Sequence, residues 1–229
     1  DGYQFYVDTE MPDKNEQYLF WRVQCTYKFK ADLSITSYYD NGTMHPVFEG
    51  DSLKTCYKTV DVLDFFMKNA NNLKAAEVKR IPLNFEDNYT KALSIRYSLK
   101  VSQFTLNEKA YTYWSSIKKM MDEGGELYTQ QPYQIKNNLR NLTHPEKPAL
   151  GYFMVAGLKE KRIFVNPPPI AFRYDVCTIE SKSDAFLAER FKNRPELWPV
   201  FFAAGYYIDQ ECMDCRKMGA LTKPAFWEE

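Results

Sequence analysis

The stretch from Leu19 to Phe29 constrains this chain more than any other. Leu19, Trp21, Val23, Cys25, Tyr27 and Phe29 share one parity, Arg22, Gln24, Thr26 and Lys28 share the other, and Phe20 is the exception. Alternate side chains of an extended backbone point to opposite faces, so this pattern reads as a long strand with one buried face. Cys25 lies on that face and reads as a core thiol, not a nucleophile. A second strand spans Leu93 to Val101, with Leu93, Ile95, Tyr97, Leu99 and Val101 inward and Ser94, Arg96, Ser98 and Lys100 toward water. Aromatic residues make up 16% of the chain. Flat rings pack well on pleated, half-buried surfaces, so this richness reads as a β core and not as an aromatic binding platform.

Shorter elements fill the remainder. Tyr3, Phe5 and Val7 form a strand before the polar turn Asp13-Lys14-Asn15-Glu16, which suggests a hairpin with the Leu19 strand. Ile35–Tyr39 and Met44–Phe48 flank Asp40-Asn41-Gly42, a tight-hairpin signal, and Pro46 places the returning strand at a sheet edge. Val60, Val62 and Phe66 suit a strand, Lys68 to Val78 a short helix, and Val78 to Phe85 an extended segment. Thr105 and Glu108 have capping-box spacing. Ala110, Tyr113, Trp114, Ile117, Met120 and Met121 then recur at helical spacing until Gly124 and Gly125, giving one packed helix over about 106–123. Gly151–Ala156 and Arg162–Val165 read as a hairpin turning at Leu158-Lys159-Glu160-Lys161, and Ala171 to Ile179 as a last core strand. Ser183-Asp184 caps a short helix from Ala185 to Lys192, and Val200 to Ile208 is extended. The fold expected is mainly β: an antiparallel β-sandwich forming a single domain over 1–229. Its core covers about 1–180, and 181–229 is a C-terminal segment carrying the short helix and a C-x-x-C.

Several function classes fall away. Lys plus Arg and Asp plus Glu are both 30, so no global field gathers nucleic acid or anionic lipid. Lys118-Lys119 and Lys159 to Arg162 are short solvated runs. No apolar run approaches the ~18 residues of a membrane helix. No Gly-rich phosphate loop, G-x-S-x-G elbow or H-E-x-x-H occurs, and two His leave little room for a triad or a His-rich metal site. No catalytic residue, metal ligand or cofactor is assigned. Asp61 with Asp64, or Glu86 with Asp87, would serve a hydrolase acting on polysaccharide or peptide, which stands as an alternative. The polar stretch Gln130–Pro148 is the candidate binding loop, with Gln131, Tyr133, Asn137, Asn138, Asn141 and His144 as its ligand-facing residues. Asp51-Ser52-Leu53 matches a short O-glycosylation pattern at Ser52. Among Cys25, Cys56, Cys177, Cys212 and Cys215, the pair Cys212 and Cys215 reads as a short-loop disulfide in an oxidising compartment, or as thiols or half a zinc site in a reducing one. The chain starts Asp1-Gly2 without Met, so a targeting segment is expected outside these residues.

An ordered set of short motifs runs along the chain. It comprises Asp1-Gly2-Tyr3-Gln4-Phe5, Tyr18-Leu19-Phe20-Trp21-Arg22, Arg96-Tyr97-Ser98-Leu99-Lys100-Val101 and Ala110-Tyr111-Thr112-Tyr113-Trp114. It continues with Gly125-Glu126-Leu127-Tyr128, Gln131-Pro132, Asn138-Leu139-Arg140-Asn141 and Leu150-Gly151-Tyr152-Phe153. It closes on Cys212-Met213-Asp214-Cys215-Arg216 and Pro224-Ala225-Phe226-Trp227. In this order they resemble the domain-of-unknown-function family 4249 of Bacteroidetes. The resemblance implies a secreted outer-membrane lipoprotein, commonly encoded beside TonB-dependent receptors and usually carrying an N-terminal Ig-like domain that this sequence lacks. It implies a lipid anchor on the precursor and an extracytoplasmic, outer-membrane-anchored location facing the periplasm or the cell surface. That compartment favours the disulfide reading of Cys212 and Cys215. The family supplies no catalytic residues to carry over. The function expected is a non-catalytic cell-envelope accessory protein of nutrient uptake, with an outer-membrane receptor, a glycan or a peptide as partner. A structural adhesion or assembly module is the third reading.

Overall fold

Strand β2 (Tyr18–Lys30) is the spine of the molecule, seen in a computed structural model that describes residues 1–10, 18–40, 43–71, 77–123, 135, 137–147, 149–174, 177, 189, 192, 200–203 and 206–228. Along one edge β2 pairs antiparallel with β8 (Arg96–Leu106). Its other edge is shared: β5 (Thr55–Asp61) takes the half from Gln24 to Lys30, and β6 (Phe66–Asn69) takes Tyr18 to Trp21. Strand β9 (Gly157–Val165) pairs with β8 and completes a five-stranded antiparallel sheet.

Both faces of this sheet are covered. A two-stranded ribbon of β1 (Gly2–Glu10) and β7 (Glu77–Asp87) lies on one face. Phe5, Val78 and Leu83 of the ribbon pack there with Leu19, Trp21, Val23, Cys25, Tyr97 and Leu99. Trp21 and Leu19 are wholly buried, and each such side chain contributes about 1.5–3 kcal/mol of transfer free energy. Helix α1 (Glu108–Glu123) lies against the other face, where Phe20, the exception to the alternation of β2, meets Phe65, Leu106, Ala110 and Trp114. Tyr152, Met154 and Ala156 pack into the same cluster. A separate four-stranded sheet, ordered β11-β10-β3-β4, contains β3 (Ser37–Asp40), β4 (Thr43–Pro46), β10 (Val200–Ala203) and β11 (Tyr206–Tyr207). Its outer strand β4 carries Pro46, as the edge argument requires.

The mainly β, antiparallel, one-helix fold agrees with the sequence reading, and several details differ. The strand read as Leu93–Val101 begins at Arg96 and runs on to Leu106. Strand β1 pairs with β7 and not with β2, because one edge of β2 is taken by β8 and the other by β5 and β6 together. Lys68 and Asn69 belong to β6, so no helix starts there. Thr105 does not cap the helix: it sits inside β8 opposite Leu19 and Gly157, and the Asn107 Oδ1 instead accepts from the Ala110 N–H at 2.9 Å. Leu158–Lys161 is no turn. It is the middle of β9, whose charged residues suit an edge strand that meets water. Ala171–Tyr174 is irregular, held where the Arg173 N–H donates to Asn88 O. The turns at 13–16, 41–42 and 124–125, and the helix at 185–192 apart from Glu189 and Lys192, lie outside the described residues.

The C-terminal segment is woven into the rest. β10 pairs with β3, and the Trp227 ring packs edge-on to Tyr57 and Phe164. Cys215 is bonded to Cys56 and Cys212 to Cys177, leaving Cys25 as the free thiol. The expected Cys212–Cys215 bridge does not form, because the two residues serve different clusters. Cys212 packs with Ile35, Ala203, Ile208 and Met213, whereas Cys215 packs with Phe29, Ala31 and Cys56.

Candidate binding groove

The β1–β7 ribbon does not cover the sheet to its edge, and a groove of about 520 Å³ remains between the ribbon and β9. Register places its floor. On the ribbon side of the sheet Leu99 pairs with Ile163, Val101 with Lys161 and Gln103 with Lys159. The wall is Tyr6, Val7, Asp8 and Thr9 of β1 with Arg80 of β7. The result is an apolar floor rimmed by Arg80, Lys159 and Lys161.

Local backbone chemistry builds the wall. Val7 pairs with Ile81 and Thr9 with Val78, so Asp8 faces both Lys79 and Arg80 across a β-bulge. Arg80 adopts φ 54°, a left-handed conformation costing a non-glycine residue about 1 kcal/mol. The Asp8 Oδ1 accepts the Arg80 N–H at 2.7 Å and holds the bulge, and the guanidinium lies over the Tyr6 ring, 5.2 Å from its centroid. On the floor, Gln103 Oε1 accepts the indole N–H of Trp21 at 2.9 Å, which fixes the amide's orientation. The Glu160 carboxylate, which like Asp8 also lines the groove, is held by Lys100 (2.7 Å) and Ser102 (2.6 Å).

The residues singled out from sequence lie elsewhere. Asn137 donates to Ala149 O, Asn138 bonds both the N–H and the C=O of Phe153 (2.9 and 2.7 Å), and the Asn141 Oδ1 accepts from the N–H groups of Thr143 and His144. These side chains brace their own loop, around a hollow of about 790 Å³. His144 Nδ1 lies 3.3 Å from Glu146 Oε1. Gln131 and Tyr133 are outside the described residues. Ser52 is exposed on a 3-10 turn, Gly50–Leu53. Asp61 accepts from Gln24, and Asp64 is ion-paired with Lys118 at 2.6 Å.

Glu86, near the end of β7, accepts at Oε2 from the Tyr97 hydroxyl of the sheet at 3.2 Å. Burial pushes the Glu86 carboxyl above the usual range, with Asp87 adding to the effect and the bonds from Tyr97 and Thr90 opposing it. Burial also raises Cys25 and Tyr97, and Tyr27 is pushed up to about 12. Cys25 is thereby kept as an unreactive thiol. At the C-x-x-C, Asp214 is buried and burial alone would raise it, but hydrogen bonds from the Arg216 side chain and backbone hold it below the usual carboxylate range. Among the described residues no three His, Cys, Asp or Glu gather as a metal site, and no helix is long and apolar enough to cross a membrane.

Sequence reasoning missed Arg80, Lys159 and Lys161. Lys159 to Arg162 is a charge run, and its alternation across two faces carries meaning only once β9 is known to be continuous.

The sequence model of the domain of unknown function DUF4249 matches residues 1–162. The chain belongs to this family. In DUF4249 terms the match takes in the five-stranded sheet, the ribbon, the helix and most of β9. No curated protein and no solved structure matches the chain.

Proposed function

We propose that this DUF4249 chain is a non-catalytic binding protein of the cell envelope, an accessory to outer-membrane nutrient uptake whose ligand is held in the groove beside β9. The observation that carries the reading is the pair of long-range disulfides, Cys56–Cys215 and Cys177–Cys212. Such bridges persist in oxidising compartments, which argues for an extracytoplasmic location. The groove supports binding: an apolar floor on rigid strands with a few fixed polar groups is the common form of a ligand site. The resemblance to outer-membrane lipoproteins supplies the envelope context and the TonB-dependent receptor as candidate partner. The hydrolase alternative requires two facing carboxyl groups. Asp61 and Asp64 are instead each engaged by another side chain, and Glu86 lies beside Tyr97.

The test starts from protein isolated from its own cells. Alkylation in denaturant before reduction should label Cys25 alone, and cross-linking of intact envelopes should join the chain to an outer-membrane receptor. Labelling of all five cysteines would remove the compartment argument. Turnover of a polysaccharide or peptide by the purified chain would replace binding with hydrolysis.

A further inference from the structure

Strand β9 ends the five-stranded sheet, and among the described residues no strand pairs with its outer edge. It is nine residues long, bonded to β8 over its whole length, and exposed from Gly157 to Lys161. A strand of this length presents a row of main-chain donors and acceptors that fits an added strand. The groove lies directly inside that edge, so alternate side chains of an added strand would fall on its apolar floor beside Ile163. Three cations line the same groove together with Asp8 and Glu160, and of these Arg80 and Lys161 form no ion pair with a carboxylate among the described residues. The Arg80 guanidinium lies over the Tyr6 ring, and the Asp8 Oδ1 accepts from the Arg80 backbone N–H.

We propose that this edge and groove take an extended peptide that adds a sixth strand antiparallel or parallel to β9, lays alternate apolar side chains against Ile163 and Val101, and sets a carboxylate between Arg80 and Lys161. The inference rests on the reading of the groove as a binding site and names its ligand class. Main-chain pairing supplies affinity that is largely independent of sequence, and the alternate pockets and the two cations supply selectivity.

The full chain is titrated with acetyl-Thr-Val-Thr-Val-Glu and with the same peptide ending in Lys-amide, followed by backbone amide shifts. The Glu peptide should bind at least tenfold more tightly, with its largest shifts along β9. Lys161→Thr should lower its affinity about tenfold while the chain stays monomeric. Equal binding of both peptides, or binding of neither at millimolar concentration, would overturn the proposal. So would octanoate displacing the Glu peptide with shifts confined to Leu99, Val101 and Ile163, which would make the groove an amphiphile site. Self-association of the Lys161→Thr variant would overturn it too, by showing that Lys161 serves to keep the edge from pairing. If the peptides fail while a glycan or a receptor still shifts the groove residues, the broader binding function stands and only the peptide assignment falls.

Discussion

Removing the Cys56–Cys215 bridge should cost this fold more than any single side-chain change, and the amount follows from chain length. The bridge joins residues 159 apart and encloses the Cys177–Cys212 bridge, which joins residues 35 apart. With the inner bridge intact, the unfolded circuit runs from Cys56 to Cys177, crosses, and continues from Cys212 to Cys215: (177 − 56) + (215 − 212) = 124 residues. A loop of that length corresponds to a chain-entropy stabilisation of about 5 kcal/mol. The double substitution also deletes two buried sulfurs beside Phe29 and Ala31, so the native state loses packing in the same direction. Cys56→Ala with Cys215→Ala, studied by urea unfolding with tryptophan fluorescence, should therefore lower the midpoint by about 2–3 M for a slope near 2 kcal/mol/M. A shift below about 0.5 M would refute the reasoning. So would hydrogen exchange showing that residues 206–228 come away alone while β2 and β8 keep their protection, because the bridge would then hold down a flap and not constrain the whole unfolded chain.

Three further outcomes are expected. Glu86→Gln should flatten the pH dependence of stability. Burial raises the folded-state pKa of Glu86, so its stabilising contribution is present below the unfolded value and lost as pH rises through the folded one. Thermal melts from about pH 4 to pH 8 should show the variant gaining on the parent as pH rises, and parallel curves would contradict this. Gln103→Leu should cost about 1–3 kcal/mol, because the wholly buried indole N–H of Trp21 loses its acceptor; an unchanged urea midpoint would show that water replaces it. Gly219→Ala should cost about 1–3 kcal/mol by overpacking, since a Cβ there would lie 2.6 Å from the Tyr57 carbonyl oxygen and 2.8 Å from the Phe29 ring; a neutral midpoint would show that this corner can shift.

How much the sequence discloses depends on whether the deciding interaction is local. The faces of β2 and β8 are legible because period-two alternation is written into consecutive residues, and α1 is legible for the same reason at helical spacing. Pro46 marks an edge because its missing N–H is a local fact. The disulfide pairing is not local: the short spacing of Cys212 and Cys215 draws attention to each other, while their partners lie 35 and 159 residues away. Strand β9 looks like a turn because Lys159, Glu160, Lys161 and Arg162 are all charged, and only an edge position makes such a run compatible with a strand. The groove is the least legible feature. Its wall depends on Asp8 meeting Arg80 across a pairing of β1 with β7, and its floor on the register of β8 with β9. The asparagines of residues 137–141 show the converse error: polar side chains in a long loop suggest a ligand, whereas here their hydrogen bonds close the loop on itself.

The nesting of one disulfide inside the other has a consequence for resistance to proteolysis. A protease that cuts anywhere between Cys56 and Val200 produces two pieces that stay covalently joined, one of them carrying β2 and the other the C-terminal strands. A nicked molecule would run as one covalent species under denaturing conditions until a reductant is added.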